Sequence, residues 1–136
     1  MSSTQRRSSD TVGIKLFRLD YDKVISELKS YARRNVSSGA KAVILIGSLA
    51  RGDYTAFSDA DVVIVVERAS KGIVDRVSEY IDPSLSVDIE PRVYTVDELR
   101  KMALEKRRIV KKIIEHGKLL AVDESIVEML RKEYYG

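Results

Sequence analysis

The residues able to do chemistry lie between positions 47 and 61, in Gly47-Ser48-Leu49-Ala50-Arg51-Gly52-Asp53-Tyr54-Thr55-Ala56-Phe57-Ser58-Asp59-Ala60-Asp61. Gly47 directly follows an apolar run. There the chain must turn sharply, and the missing side chain lets a ligand approach the backbone. A Gly-Ser turn offers N–H groups and a hydroxyl to phosphate oxygens, and a helix opening at Ser48 would add its positive end. Asp59 and Asp61 open the next apolar run. Residues i and i+2 of a strand share a face, so the two carboxylates stand side by side and repel unless a cation lies between them. Mg²⁺ takes one or two carboxylates, with substrate phosphates completing its shell. Asp88 adds a third acid from a later strand, and Glu90 shares its face. A phosphate cradle, paired carboxylates and a third acid are the parts of two-metal transfer at phosphorus.

Composition narrows the alternatives. The 136 residues suit one domain with a core of its own. With no cysteine, disulfides, thiolate zinc and a cysteine nucleophile are excluded. A single histidine, His116, argues against a His-rich metal site and a Ser-His-Asp arrangement. Any metal must be held by oxygen, which favours Mg²⁺, Mn²⁺ or Ca²⁺. The net charge of +3 suits a polyanionic ligand such as a triphosphate but is too small to show nucleic-acid binding. No apolar run is long enough to cross a bilayer, and the polar N-terminus lacks a secretory h-region, so a cytoplasmic location is the default expectation.

Periodicity then supplies the elements that position these residues. Residues 1–11 are polar and Ser-rich and read as a disordered tail, with a single domain expected over 12–136. A helix is expected from Tyr21 to Arg34, capped by Asp20. Strands are expected at Ala42–Ile46 and Ala60–Glu67, both apolar enough to be covered on two faces. A helix near Gly72–Ile81 should end at Asp82-Pro83. Ser84–Tyr94 alternates as a strand, with Pro91 ending it or placing it at an edge. Thr95 and Glu98 form a capping box before a long apolar stripe, broken near Glu105 and stopped by Gly117. A short strand at Lys118–Val122 and a helix from Asp123 to Tyr134 complete an α/β (α+β) fold, a small mixed sheet flanked by helices.

These residues resemble the DNA polymerase β-like nucleotidyltransferase superfamily, and most closely its minimal, MNT-type members. Gly47-Ser48, ten residues, then Asp59-Ala60-Asp61 matches the family motif in full, and Gly52 and Ser58 meet its fuller form. Asp88 in Val87-Asp88-Ile89 matches the third acid. The resemblance spans roughly residues 21–122 and is strongest between 42 and 66. It implies Mg²⁺-dependent transfer of a nucleoside monophosphate, AMP from ATP in the leading case. Asp59, Asp61 and Asp88 would be catalytic and hold metal, with Asp88 as the base for the acceptor hydroxyl. Gly47, Ser48, Arg51 and Ser58 would bind nucleotide.

Larger relatives carry a second domain for the acceptor, for which this chain has no room. A partner protein is therefore expected to supply the acceptor. Minimal members are often paired with helical HEPN proteins, and the resemblance implies a protein that in such a pair acts as an antitoxin and can transfer AMP to a tyrosine of the toxin. Two rivals stand beside that enzyme: an antitoxin acting by contact alone, and a nucleotide sensor. Blander readings also stand beside individual residues. Arg51 pairs with Asp53 as readily as with phosphate. The basic set Arg100, Lys101, Lys106, Arg107, Arg108, Lys111 and Lys112 lies opposite its helix's apolar stripe, where solvated charge is expected.

Overall fold

The computed structural model describes residues 19–121 and 124–136; the tail expected over 1–11 and the first residues of the expected domain lie outside them. The first helix, α1 (Tyr21–Ser37), is capped as expected, Asp20 accepting from the Lys23 N–H at 3.2 Å. It runs three residues beyond the expected end because the chain leaves it only near Gly39, where φ is +120°. Then come β1 (Ala42–Ile46), α2 (Ser48–Arg51) and β2 (Ala60–Val66). One turn, α3 (Ile73–Arg76), tightens into a 3₁₀ turn at Val77–Tyr80. After it follow β3 (Ile89–Thr95), α4 (Val96–Leu104), α5 (Arg108–His116), β4 (Lys118–Ala121) and α6 (Glu124–Tyr135).

The sheet runs β3-β2-β1-β4. β1 is antiparallel to both β2 and β4, and β2 is parallel to β3. Helices cover both faces. Val24, Leu28, Tyr31 and Ala32 of α1 pack with Val43, Leu45, Val62 and Ile64. Leu99 and Ala103 of α4, Val110, Ile113 and Ile114 of α5, and Leu130 of α6 pack with Ile44, Ile46, Val63 and Val65. Burial on both faces explains why β1 and β2 read as unbroken apolar runs. Asp61 is the single position of these two strands that is not buried.

The segment before β3 departs from expectation. The alternation of residues 84–94 predicts a strand from Ser84, but β3 starts at Ile89. The backbone donors upstream are taken by carboxylates instead of a neighbouring strand. Asp82 accepts from the Ser84 N–H and hydroxyl, and Glu27 of α1 accepts from those of Ser86. These bonds hold both carboxyls below their usual range, through Ser86 at Glu27 and Ser84 at Asp82. Arg34 also pairs with Asp82 at 2.8 Å, so α1 ties down the approach to β3.

Pro91 is placed at an edge, as expected. In a parallel strand the N–H and C=O of one residue point to the same side, and the Ala60 N–H to Asp88 C=O bond turns the even positions toward β2. Along the odd, outer edge, Pro91 has no N–H, the Val93 carbonyl accepts from Arg76 and the Thr95 N–H is held by Glu98. Three different residues thus blunt the edge against pairing with another chain.

Candidate active site

Gly47 adopts φ +77° and ψ −159°, a region essentially open only to glycine. A Cβ there would strike the carboxylate oxygen Oδ2 of Asp61. The turn and the acid of the neighbouring strand therefore touch, which the β1–β2 pairing of Ile46 with Asp61 enforces. α2 has only four residues, so its dipole is slight. What the turn offers phosphate is chiefly its own N–H groups.

The loop from Arg51 to Asp59 is braced from within. Ser48 Oγ donates to Ser58 Oγ at 3.0 Å, and Ser58 Oγ also accepts the Thr55 N–H at 2.8 Å. Ser58, expected to bind nucleotide, thus holds the loop against Ser48. Beneath it, Tyr21 stacks on Tyr54 with ring centroids 5.0 Å apart. The Tyr21 hydroxyl donates to the Leu49 carbonyl and accepts from Lys118 Nζ. Arg51 pairs with Asp53 at 3.2 Å, both side chains exposed.

Asp59 lies exposed one residue before β2, and Asp61 is its second residue. Asp61 alternates with Val63 and Val65, so it lies on the face covered by α4, α5 and α6. The parallel register sets Glu90 of β3 directly beside Asp61. The hydrogen bond it shares with Asp61 and that carboxylate's negative field raise the Glu90 carboxyl above its usual range. Burial and Asp59 push the same way, and Arg92 opposes them. Arg92 itself comes within 3.9 Å of Asp61. Asp88 sits exposed before β3, its carbonyl accepting the Ala60 N–H, and the register continued one step back sets it level with Asp59.

The acid touching Asp61 is therefore Glu90, and a cleft of about 320 Å³ lined by Val77, Ile81, Ile89, Glu90, Pro91 and Arg92 opens beside it. The alternation of residues 84–90 already put Glu90 on the same face as Asp88. Nothing in the sequence gave the step of register that chooses between them, and Arg92 carried no signal.

The donor set suits a hard divalent cation. Oxygen is the only ligand type present, and the register sets the Glu90 and Asp61 carboxyls side by side, where a cation would relieve their repulsion. Among the described residues no three acid or imidazole side chains converge to hold a metal by themselves. Phosphate oxygens and water would have to complete the shell, as Mg²⁺ prefers.

A Gly-Ser turn touching a carboxylate pair, at one end of a small mixed sheet, defines a nucleotide-handling α/β domain. The sequence profile of the nucleotidyltransferase domain matches residues 25–132, and the chain belongs to that family. No curated protein matches significantly. Among solved structures, a chain of a toxin–antitoxin complex with AMP-PNP matches at TM-score 0.57 and 17% identity, covering 86% of this chain and 85% of that one. A chain of the toxin–antitoxin MntA–HepT matches at TM-score 0.52 and 14% identity, covering 82% and 81%. At such identities the likeness is one of fold, a nucleotidyltransferase-like mixed sheet with flanking helices. Among the described residues no helix is long and apolar enough to cross a membrane.

Proposed function

We propose that this nucleotidyltransferase moves AMP from ATP to a hydroxyl of a partner protein, a tyrosine of a HEPN-type toxin, and so serves as an antitoxin. The observation that carries the reading is the contact between Gly47 and Asp61, with Glu90 on the other side of that carboxylate. It sets a phosphate cradle against paired acids. The relatives of similar fold, one of them with AMP-PNP, agree with it.

Gly47 and Ser48 hold the triphosphate through backbone N–H groups, joined by the Ser48 hydroxyl once it turns from Ser58 to phosphate. Asp59 and Asp61, with a third acid, would hold the divalent cations that neutralise phosphate charge and favour ionisation of the acceptor hydroxyl. The acceptor oxygen bonds to the α-phosphorus as the bond from that phosphorus to the oxygen bridging to the β-phosphate breaks. Pyrophosphate leaves with the electron pair. The hydroxyl proton passes to the third acid. The sequence assigns that acid to Asp88; the register favours Glu90, which stands beside Asp61 at the mouth of the cleft. The cleft would admit an acceptor side chain.

The test is label transfer from ATP marked at the α-phosphate to a co-expressed HEPN-type partner, with Mg²⁺ or with chelator. Label should appear on the partner only with the metal, and Asp59→Asn with Asp61→Asn should abolish it. Native protein that binds Mg²⁺–ATP yet labels no partner would replace this reading with the contact-acting antitoxin or sensor.

A further inference from the structure

The solvated-face reading explains why the cations of α4 and α5 are exposed, but not how they are arranged. Residues 96–116 hold seven Lys and Arg against four Asp and Glu, so this segment carries the whole of the formal net charge of +3. Solvated helix faces usually alternate in sign, with acids toward the start. α1 and α4 obey this, with Asp22 in one first turn and Asp97 and Glu98 in the other. α5 departs from it. Its first turn has no acid, its N-cap is Arg107, and no side chain caps it. Arg108, Lys111 and Lys112 fall at i, i+3 and i+4 on one exposed face, where like charges repel. Among the described residues, none of these three makes an ion pair.

A third departure adjoins the first two. Lys106, at the α4–α5 junction, is the one described non-glycine residue with positive φ, +58°. That conformation, uncommon outside glycine, holds its Nζ 4.8 Å above the Tyr134 ring. Tyr134 packs edge-on against Tyr135, which is 63% exposed. Repulsion, a cationic helix start and a strained lysine all work against stability, and all concentrate positive charge on one surface edged by aromatic rings. That surface lies on the sheet face that also carries Asp61.

We propose that this surface of α5 and the α4–α5 junction binds the phosphate backbone of a nucleic acid. Arg108 and Lys112 are separated by about 6 Å of helix rise, a span in which one strand of a duplex presents roughly two phosphates. Arg108 presents a planar fork suited to phosphate, whereas that of Arg107 is paired with Glu105 at 3.1 Å. The exposed Tyr135 offers stacking to an unpaired base, as single-strand binders do. An acidic protein would satisfy the charge but would give the rings no such role. The proposal is independent of the transfer reaction.

The experiment is fluorescence anisotropy of the native chain with a labelled 20-nucleotide RNA, as single strand and as duplex, across a salt series. Affinity should fall steeply with salt, and Arg108→Glu, Lys111→Glu and Lys112→Glu together should weaken binding at least about tenfold and flatten the salt slope by two to three units, roughly 0.7–0.9 for each lost phosphate contact. The reversed chain should melt no lower than the native one, since it gains acids in the first turn of α5. Should it misfold, the Gln triple variant is read in its place. Reversal of Lys23, Lys29 and Arg33 on α1 should leave affinity within about twofold. No binding at low salt, equal loss from the α1 reversal, or displacement of RNA by polyglutamate as readily as by unlabelled RNA would each overturn the proposal, the last in favour of an acidic protein.

Discussion

The two ends of β3 handle charge in opposite ways. At its start, Glu90 faces Asp61, with Asp59 nearby: three acids made neighbours by the sheet and, among the described residues, answered by Arg92 alone, 3.9 Å from Asp61. At its end, the buried charge is answered. The buried Arg76 donates to the Lys71 and Val93 carbonyls and, in two bonds, to Glu98. Glu98 also accepts the Thr95 N–H, closing the capping box. Those bonds, first the one from Arg76, hold the Glu98 carboxyl below its usual range, and Glu98 raises Arg76 in turn. A charge cluster that completes itself belongs to the fold. One that repels itself is short of a ligand.

The contrast breaks most readily at its acidic end. Glu90→Gln should cut AMP transfer about a hundredfold or more while leaving the melting temperature level or higher, because a repulsion is removed. Asp88→Asn, away from Asp61, should cost less. The reverse ranking in parallel rate and melting measurements would return the third-acid role to Asp88. Next comes Gly47→Ala. Its backbone strain alone should cost about 2 kcal/mol of stability, and its methyl group would push Asp61 aside. Denaturant melts and ATP titrations should therefore fall together. A variant that keeps native ATP affinity would separate the turn from the acids.

The satisfied end should fail differently. Glu98→Gln leaves Arg76 buried beside a neutral partner, and because Glu98 is one-third exposed the expected loss is about 2 kcal/mol rather than the full cost of breaking a buried pair. Activity per folded molecule should hold. With its folded pKa depressed, Glu98 contributes stability that is present above the ordinary glutamate range and lost as pH falls below about 4. Urea melts should show native and Glu98→Gln proteins converging as the medium is acidified. Convergence at alkaline pH instead would mean Glu98 does not stabilise as a carboxylate. Smallest of all is Arg51→Gln, which removes an exposed ion pair and should move stability by less than about 0.5 kcal/mol. If it nevertheless weakens ATP binding tenfold, Arg51 leaves Asp53 for phosphate.

What the sequence determined by itself is what is written within one or two neighbouring elements. The apolar runs at 42–46 and 60–66 gave β1 and β2 because strands buried on both faces cannot spare a polar position. Asp61 stood out by its spacing from Asp59 and from Gly47-Ser48. Gly47 and Asp61 were each marked by residue type and spacing, but their contact comes from the antiparallel pairing of β1 with β2 across residues 47–59, which the residue pattern did not state. Thr95 and Glu98 were legible as a cap because their bonds span three residues. Tertiary structure decided the rest. The parallel pairing of β2 with β3 joins segments separated by a helical turn and a loop, so its register comes from packing on both faces of the sheet. That register put Glu90, not Asp88, against Asp61. Arg76 found Glu98 from 22 positions away. The true start of β3 depended on carboxylates of α1 and the preceding turn taking the backbone donors that a longer strand would have used. Each of these partnerships is non-local, and residue pattern records what a position needs without recording which distant group supplies it.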